Sequence, residues 1–467
     1  MTEQIPPSSS PPTFGLSDFL PKRSAGLKLL LVCGLAVLMI IPALLVHSIV
    51  YERSSGLQAA ISEVSESVGG QQTVLGPVLA VPYSQTPDPK KPDKVVYGIA
   101  IAYAETGTAK SVVDVQEKQR GIHTIPVFEA SMDMAAQFDP AALRGAIPAN
   151  AEAIWDEARL FVGVSDTRGI KDAITVTANG RPVSNEPISH VPSSGGYSIA
   201  PVAGVTLAGG KLAGLATAER AITVTANFRI SGAQRLAIGP FAKDTSFEMQ
   251  SNWASPSFNG GVLPDRHNVG ESEDGFTASW RVPYLARGIA GAGANLDLSA
   301  VTNWHYRDMA VNFIKEASPY QSVERALKYA AMFIGFVFLA YFLFEITSSV
   351  RAHPAQYVLV GLAQTIFYML LLAFSERIGF DLAFLIAATM TVGLTAYYAR
   401  SVFRSRTYGL RALGILSGIY ALIYVLMRAE NHALLAGALA SFAAIALTMY
   451  MTRNVDWYGD QKAPAPA

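Results

Sequence analysis

Cysteine is almost absent from this chain, which has one, Cys33, in 467 residues. A single thiol inside an apolar run excludes an intramolecular disulfide and a cysteine metal cluster, so any domain must be held by its own core. Net charge is absent too. The 36 basic residues are balanced by 36 acidic ones, and no global field points to nucleic acid or to an acidic partner. Among the seven histidines there is no His-Glu-x-x-His and no pair at i and i+4, and with no Cys-x-x-Cys a zinc hydrolase has no support. The segment from Gly204 to Lys211 lacks the glycine spacing of a phosphate loop, and Leu212 stands where a magnesium-binding hydroxyl belongs. Gly196-Tyr197-Ser198-Ile199-Ala200 is one residue from a nucleophile elbow, but Pro201 forbids the helix that makes such a serine reactive, so it reads as a turn. No cofactor is implied.

Apolar residues are what the chain has in excess, at 51%, above the usual soluble range. Residues 29–50 form an apolar run in which His47 is the one titratable residue besides Cys33, and as a helix it would reach about 33 Å. It is longer than the roughly 7–15 residues of a signal-peptide core and no small-x-small site follows, so an uncleaved anchor is expected, kinked at Pro42. Further runs at 329–346, 357–374, 382–399, 412–427 and 433–451 predict five more spans. The ionisable residues His47, Glu345, Arg428, Glu430 and His432 fall near span ends and read as snorkelling or capping. No charge of the kind a coupled transporter uses is visible at a midplane. Gly414 with Gly418 and Gly437 with Ser441 place small residues on one helix face, the pattern of close helix packing.

Between the first and second spans the pattern changes. Leu57, Ile61, Val64 and Val68 recur at helical spacing just after the anchor. Runs near 74–83, 94–104 and 122–132 are then rich in β-branched residues. The heptad Ala173-Ile174-Thr175-Val176-Thr177-Ala178-Asn179 recurs identically at 221–227, alternating as a half-buried strand does; nothing around the heptads matches, which favours chance recurrence over duplication. Asp139-Pro140 reads as a helix N-cap and first turn. The expected fold class is therefore a polytopic α-helical membrane protein of about six transmembrane helices, with a large β-rich periplasmic domain inserted between helices 1 and 2. Its parts are a disordered cytoplasmic tail at 1–26, helix 1 at 29–50, the β-rich domain at 51–325, a five-helix bundle at 329–451 and a cytoplasmic tail at 452–467.

Orientation follows from the short loops. With the amino terminus inside, Lys22, Arg23, Lys28, Arg351, Arg400, Arg404, Arg406, Arg411, Arg453 and Lys462 are cytoplasmic, while Arg377 and Arg428 lie opposite. The positive-inside rule then places both termini in the cytoplasm and the large domain in the periplasm. Candidate recognition residues are the aromatic-rich Trp253, Phe258 and Trp280, which could line a groove although such a segment is more often a strand pair with its aromatics in the core, and the turn residues Asp166 and Arg168. Asp265, Arg266, His267 and Glu271 also sit in turn-like contexts.

Several landmarks occur together: Gly76-Pro77, Ser165-Asp166-x-Arg168-Gly169-Ile170, Ser251-Asn252-Trp253 with Pro256-x-Phe258 and Leu263-Pro264, Tyr320-Gln321, Phe344-Glu345, His353-Pro354-x-Gln356-Tyr357, Ser375-Glu376 and Thr452-Arg453-Asn454-x-Asp456-Trp457-Tyr458. In order and spacing the chain resembles the CreD family of bacterial inner-membrane proteins from the first anchor to Tyr458, with the Pro/Ser-rich start outside the pattern. The resemblance implies a multi-pass protein of the cytoplasmic membrane, associated with envelope integrity and with a two-component system that responds to envelope stress, and it carries over no catalytic residue. The expected function is a non-enzymatic protein contacting the lipid bilayer and presenting its periplasmic domain to envelope components or membrane protein partners. The alternatives are a transporter or flippase, and an envelope-polymer enzyme built from carboxylates on distant strands.

Overall fold

The computed structural model describes residues 25–86, 95–121, 123–188, 206–270, 275–294, 307–313, 319–348, 350–428, 433–455 and 457. The amino-terminal tail up to residue 24, the turn at 196–200, Glu271, Glu430 and His432 lie outside them. The chain divides into a helical unit, Met1–Ser55 with Ala317–Ala467, and a β-rich unit, Gly56–Glu316.

Among the described residues, six helical stretches are long and apolar enough to cross a membrane: Ala25–Val68, Ala330–Thr347, Pro354–Ile378, Phe380–Val402, Arg406–Arg428 and Leu434–Thr452. They are called the first to sixth spans below. The first is broken at Met39, between helices Ala25–Leu38 and Ile40–Val68, because Pro42 has no N–H to offer the carbonyl four residues back. The second part of the anchor and the amphipathic segment after it, expected as separate pieces, share the 29-residue helix Ile40–Val68. Ala60, Val64 and Val68 bury that helix's apolar stripe against Ile125, Val127 and Ala233. The third span begins before its apolar run because polar residues cap it: His353 Nδ1 accepts from Ala355 N at 3.2 Å, and Gln356 Oε1 accepts from His353 N at 2.8 Å.

In the β-rich unit three long strands, β1 (Gln72–Gln85), β2 (Val96–Arg120) and β3 (His123–Phe138), organise the rest. The first part of β2 pairs antiparallel with β1, whereas from Thr106 to Arg120 it pairs with β3. One strand thereby carries the sheet round a corner. Phe241, fully buried, fills that corner, and a side chain at Gly76 or Gly107 would strike its ring at 2.3 or 2.5 Å. Pro77 beside Gly76 coincides with a register shift in the β1 ladder, as a residue without a donor requires. The two identical heptads are neighbours. Thr175–Ala178 lies antiparallel to Ile222–Ala233 with Thr177 opposite Thr225, and their hydroxyls meet at 2.8 Å. Asp139 caps helix Pro140–Gly145 through a 2.9 Å bond from Ala141 N.

Candidate functional site

The aromatic candidates separate by depth. Of the two alternatives, groove or strand-pair core, Trp280 takes the core: it is 2% exposed and stacks on Phe247 with ring centroids 5.0 Å apart. Alternation explains this, since on strand Phe276–Val282 the residues Phe276, Ala278, Trp280 and Val282 all turn inward. Phe258 is half-buried, packing edge-on to Phe276 at 5.7 Å and tilted against His267 at 5.3 Å. Trp253 is also half-buried, and its indole N–H donates to Ser255 O at 3.0 Å. These aromatics form a core with an edge at Phe258.

The outer face of the same sheet carries what the aromatics do not. Registered pairing brings Asn227, Asp133, Lys110, Glu248, Ser279 and Arg266 into one row across six strands. Lys110 Nζ and Glu248 Oε2 meet at 3.1 Å in solvent. Over the part of this row formed by Lys110, Glu248, Ser279 and Arg266 lies a trough of about 530 Å³, which Gln250 and Thr277 also line. Its charges alternate in sign and its polar groups point outward, an arrangement that can hydrogen-bond an elongated polar partner. The alternation of β2 contained this signal, but the row needs the register of five strand pairings, three of which join strands that are not consecutive in sequence.

Asp166 and Arg168 stand elsewhere in the unit and are not brought to the trough. Asp166 Oδ1 accepts from Arg168 N at 2.9 Å while its second oxygen accepts from the guanidinium at 2.7 Å. That guanidinium holds the Asp166 carboxyl below the usual carboxylate range. Next to them Gln72, fully buried, donates to Asp166 O at 3.0 Å and Ser231 O at 3.1 Å. Among the described residues no group of three His, Cys, Asp or Glu side chains could hold a metal.

In the helical unit two polar groupings depart from the expectation. Glu345 does not snorkel. It is 8% exposed, ion-paired with Lys28, and accepts from Tyr357 OH at 2.9 Å; Lys28 also donates to Ala352 O at 2.8 Å. Secondly, Gln364, fully buried in the third span, accepts from Tyr420 OH at 2.8 Å and donates to Thr395 Oγ1 at 3.4 Å. Tyr341 OH donates to Thr395 O at 2.8 Å. Four spans are thus joined by uncharged hydrogen bonds. A search for intramembrane charge misses this set, yet Gln364-Thr365 inside an apolar run is its visible signal. The small-residue pairs differ from one another. A methyl at Gly414 or Gly418 would meet nothing within 4 Å, so within one chain they are not at a close helix approach, whereas one at Gly437 would meet Leu426 at 4.0 Å. Ser441 Oγ lies 3.4 Å from Met332 Sδ.

Comparison with known proteins bears on both units. The family profile described as "Inner membrane protein CreD" matches residues 24–458. A relative from Escherichia coli (strain K12), "Inner membrane protein CreD", is 29% identical over 435 residues, which are 91% of this chain and 92% of the relative.

Proposed function

We propose, from the premise that this chain belongs to the CreD family of inner membrane proteins, that it is a non-enzymatic protein supporting cell-envelope integrity. In this reading the β-rich unit faces the periplasm and presents its outer trough to an envelope component or a protein partner. The observation that carries the reading is the registered polar row from Asn227 to Arg266, an outward-facing surface for recognition. The ten-to-two excess of Lys and Arg in one set of short loops supports the orientation, with both termini in the cytoplasm. Phe258, packed against the trough-lining His267, is the candidate aromatic contact, Trp253 shapes its turn, and Asp166 with Arg168 forms a separate polar surface.

A cell lacking the chromosomal copy is complemented with variants at matched membrane abundance. Reversing the row with Lys110→Glu and Arg266→Glu is expected to abolish envelope protection, and Asp166→Asn to leave it intact. Full protection by the reversed row would reject the trough as the recognition surface. A periplasm-dependent reporter fused after residue 458 is expected to be silent; activity there would reject the orientation.

A transporter or flippase is the second reading, favoured by the Gln364, Tyr420 and Thr395 bonds inside the spans. Gln364→Leu, made at equal abundance, separates the two: loss of protection favours transport, while retention favours presentation by the β-rich unit.

A further inference from the structure

Between the second, fifth and sixth spans lies an apolar crevice of about 380 Å³. Phe344 forms one wall, Ile415 and Gly418 a second, and Ala440, Ala444 and Met451 the third. Its floor at Gly418 is open, since an added methyl there would touch nothing within 4 Å. From Ala440 to Met451 the sixth span rises about 16 Å at 1.5 Å per residue, roughly half of a 30 Å hydrocarbon core. The crevice therefore has the depth of one leaflet and not of a whole bilayer.

Its ends differ. At the end marked by Ile415 and Met451, two cations follow the walls: Arg411 is one turn before Ile415 on the fifth span, and Arg453 comes two residues after Met451. Both are exposed, and each guanidinium is held over a tyrosine ring, Arg411 over Tyr408 at 5.3 Å and Arg453 over Tyr450 at 4.6 Å. Tyr408 is anchored in turn by its hydroxyl donating to Thr347 O at 2.8 Å and by its ring 5.8 Å from Phe344. Among the described residues neither arginine is ion-paired with a carboxylate. Glu345, the acid of the second span nearest this end, is already bound to Lys28.

We propose that the crevice is a binding site for an anionic phospholipid, with one acyl chain lying against Gly418 and Ala444 and the phosphate between Arg411 and Arg453. The depth selects a molecule of one leaflet, the apolar walls select its chain, and two positioned guanidiniums without a carboxylate select a negative headgroup. A second copy of the chain would cover the apolar walls equally well but would leave both arginines without a counter-charge.

The test is native mass spectrometry of the full chain released from detergent containing equal amounts of phosphatidylglycerol and phosphatidylcholine with the same acyl chains. Wild-type protein is expected to retain phosphatidylglycerol in preference, and Arg411→Gln with Arg453→Gln to reduce that retention about 25-fold, at about fivefold per arginine. Phosphatidylcholine retention is expected to be unchanged by the double variant. Gly418→Phe, which fills the floor, should reduce retention of both lipids. Equal retention of the two lipids by wild-type protein would overturn the proposal without recourse to any variant. So would a phosphatidylglycerol preference that survives Arg411→Gln with Arg453→Gln, retention of both lipids undiminished by Gly418→Phe, or a lipid-free dimer that Gly418→Phe dissociates.

Discussion

The same chemical pair occurs in both units with opposite surroundings. Lys110 and Glu248 on the outer sheet keep 70% and 63% of their side-chain surfaces exposed, while Lys28 and Glu345 in the helical unit keep 28% and 7%. In water the first pair is screened and nearly free to exchange its partners for solvent. The second has little water to return to, so each member depends on the other and on the Tyr357 hydroxyl and Ala352 carbonyl that complete the site. The environment, more than the residue types, decides what a Lys–Glu contact is worth.

The most severe break of this comparison is Glu345→Ala. It strands the Lys28 ammonium in the helical unit and is expected to destabilise the protein by about 3–5 kcal/mol, seen as a lower melting temperature in detergent. The double change Lys28→Met with Glu345→Leu should recover most of that loss, since it removes both charges. A loss no larger than an exposed pair would give would mean that burial does not separate the two pairs. Trp280→Ala in the β-rich unit ranks close behind, at about 3–5 kcal/mol, because it empties a buried ring site beside Phe247. It is measured by urea unfolding of residues 56–316 expressed alone, which should fold in reductant and chelator.

A pH experiment sharpens the difference within the β-rich unit itself. Burial pushes the Tyr103 hydroxyl up from 10.0 to about 12, against the opposing pull of the Arg287 guanidinium lying 3.8 Å over its ring. Between those values the folded protein keeps a proton that the unfolded chain has released, so stability falls as pH rises from about 10 to 12 and is unaffected by this group below 10. Tyr103→Phe should flatten that part of the curve for residues 56–316, and an unchanged slope would show that other groups govern it. The smallest effect belongs to the exposed pair. Lys110→Ala should cost about 0.2–1 kcal/mol and lose even that in high salt; a larger, salt-insensitive loss would mean that the row is buried against something.

How much of this was legible depended on the range of each interaction. The six spans could be read because a bilayer demands some 20 consecutive apolar residues, a purely local requirement. Their ends shifted where polar residues cap the helix, as His353 and Gln356 do for the third span. The capping role of Asp139 was legible for the same reason: cap and capped amide are two residues apart. By contrast, Lys28 and Glu345 are 317 positions apart, and Glu345 alone looks like any acid near a span end. The trough was equally hidden. Lys110, Glu248 and Arg266 are ordinary exposed strand residues until register sets them in one line.

The sequence by itself therefore determined the two textures of the molecule, apolar helices and an alternating β-rich insertion, together with the family, since each is carried by contiguous residues or by fixed motifs. It also determined the charge bias of the short loops from which orientation is proposed. Only the tertiary structure decided that Trp280 fills a core while Phe258 edges it, that two identical heptads pair with each other, and that Gln364, Tyr420 and Thr395 share hydrogen bonds inside the spans. The physical reason is the same in each case. Burial and hydrogen bonding between distant segments depend on the register and rotation of whole strands and helices, which local periodicity leaves free until packing selects one arrangement.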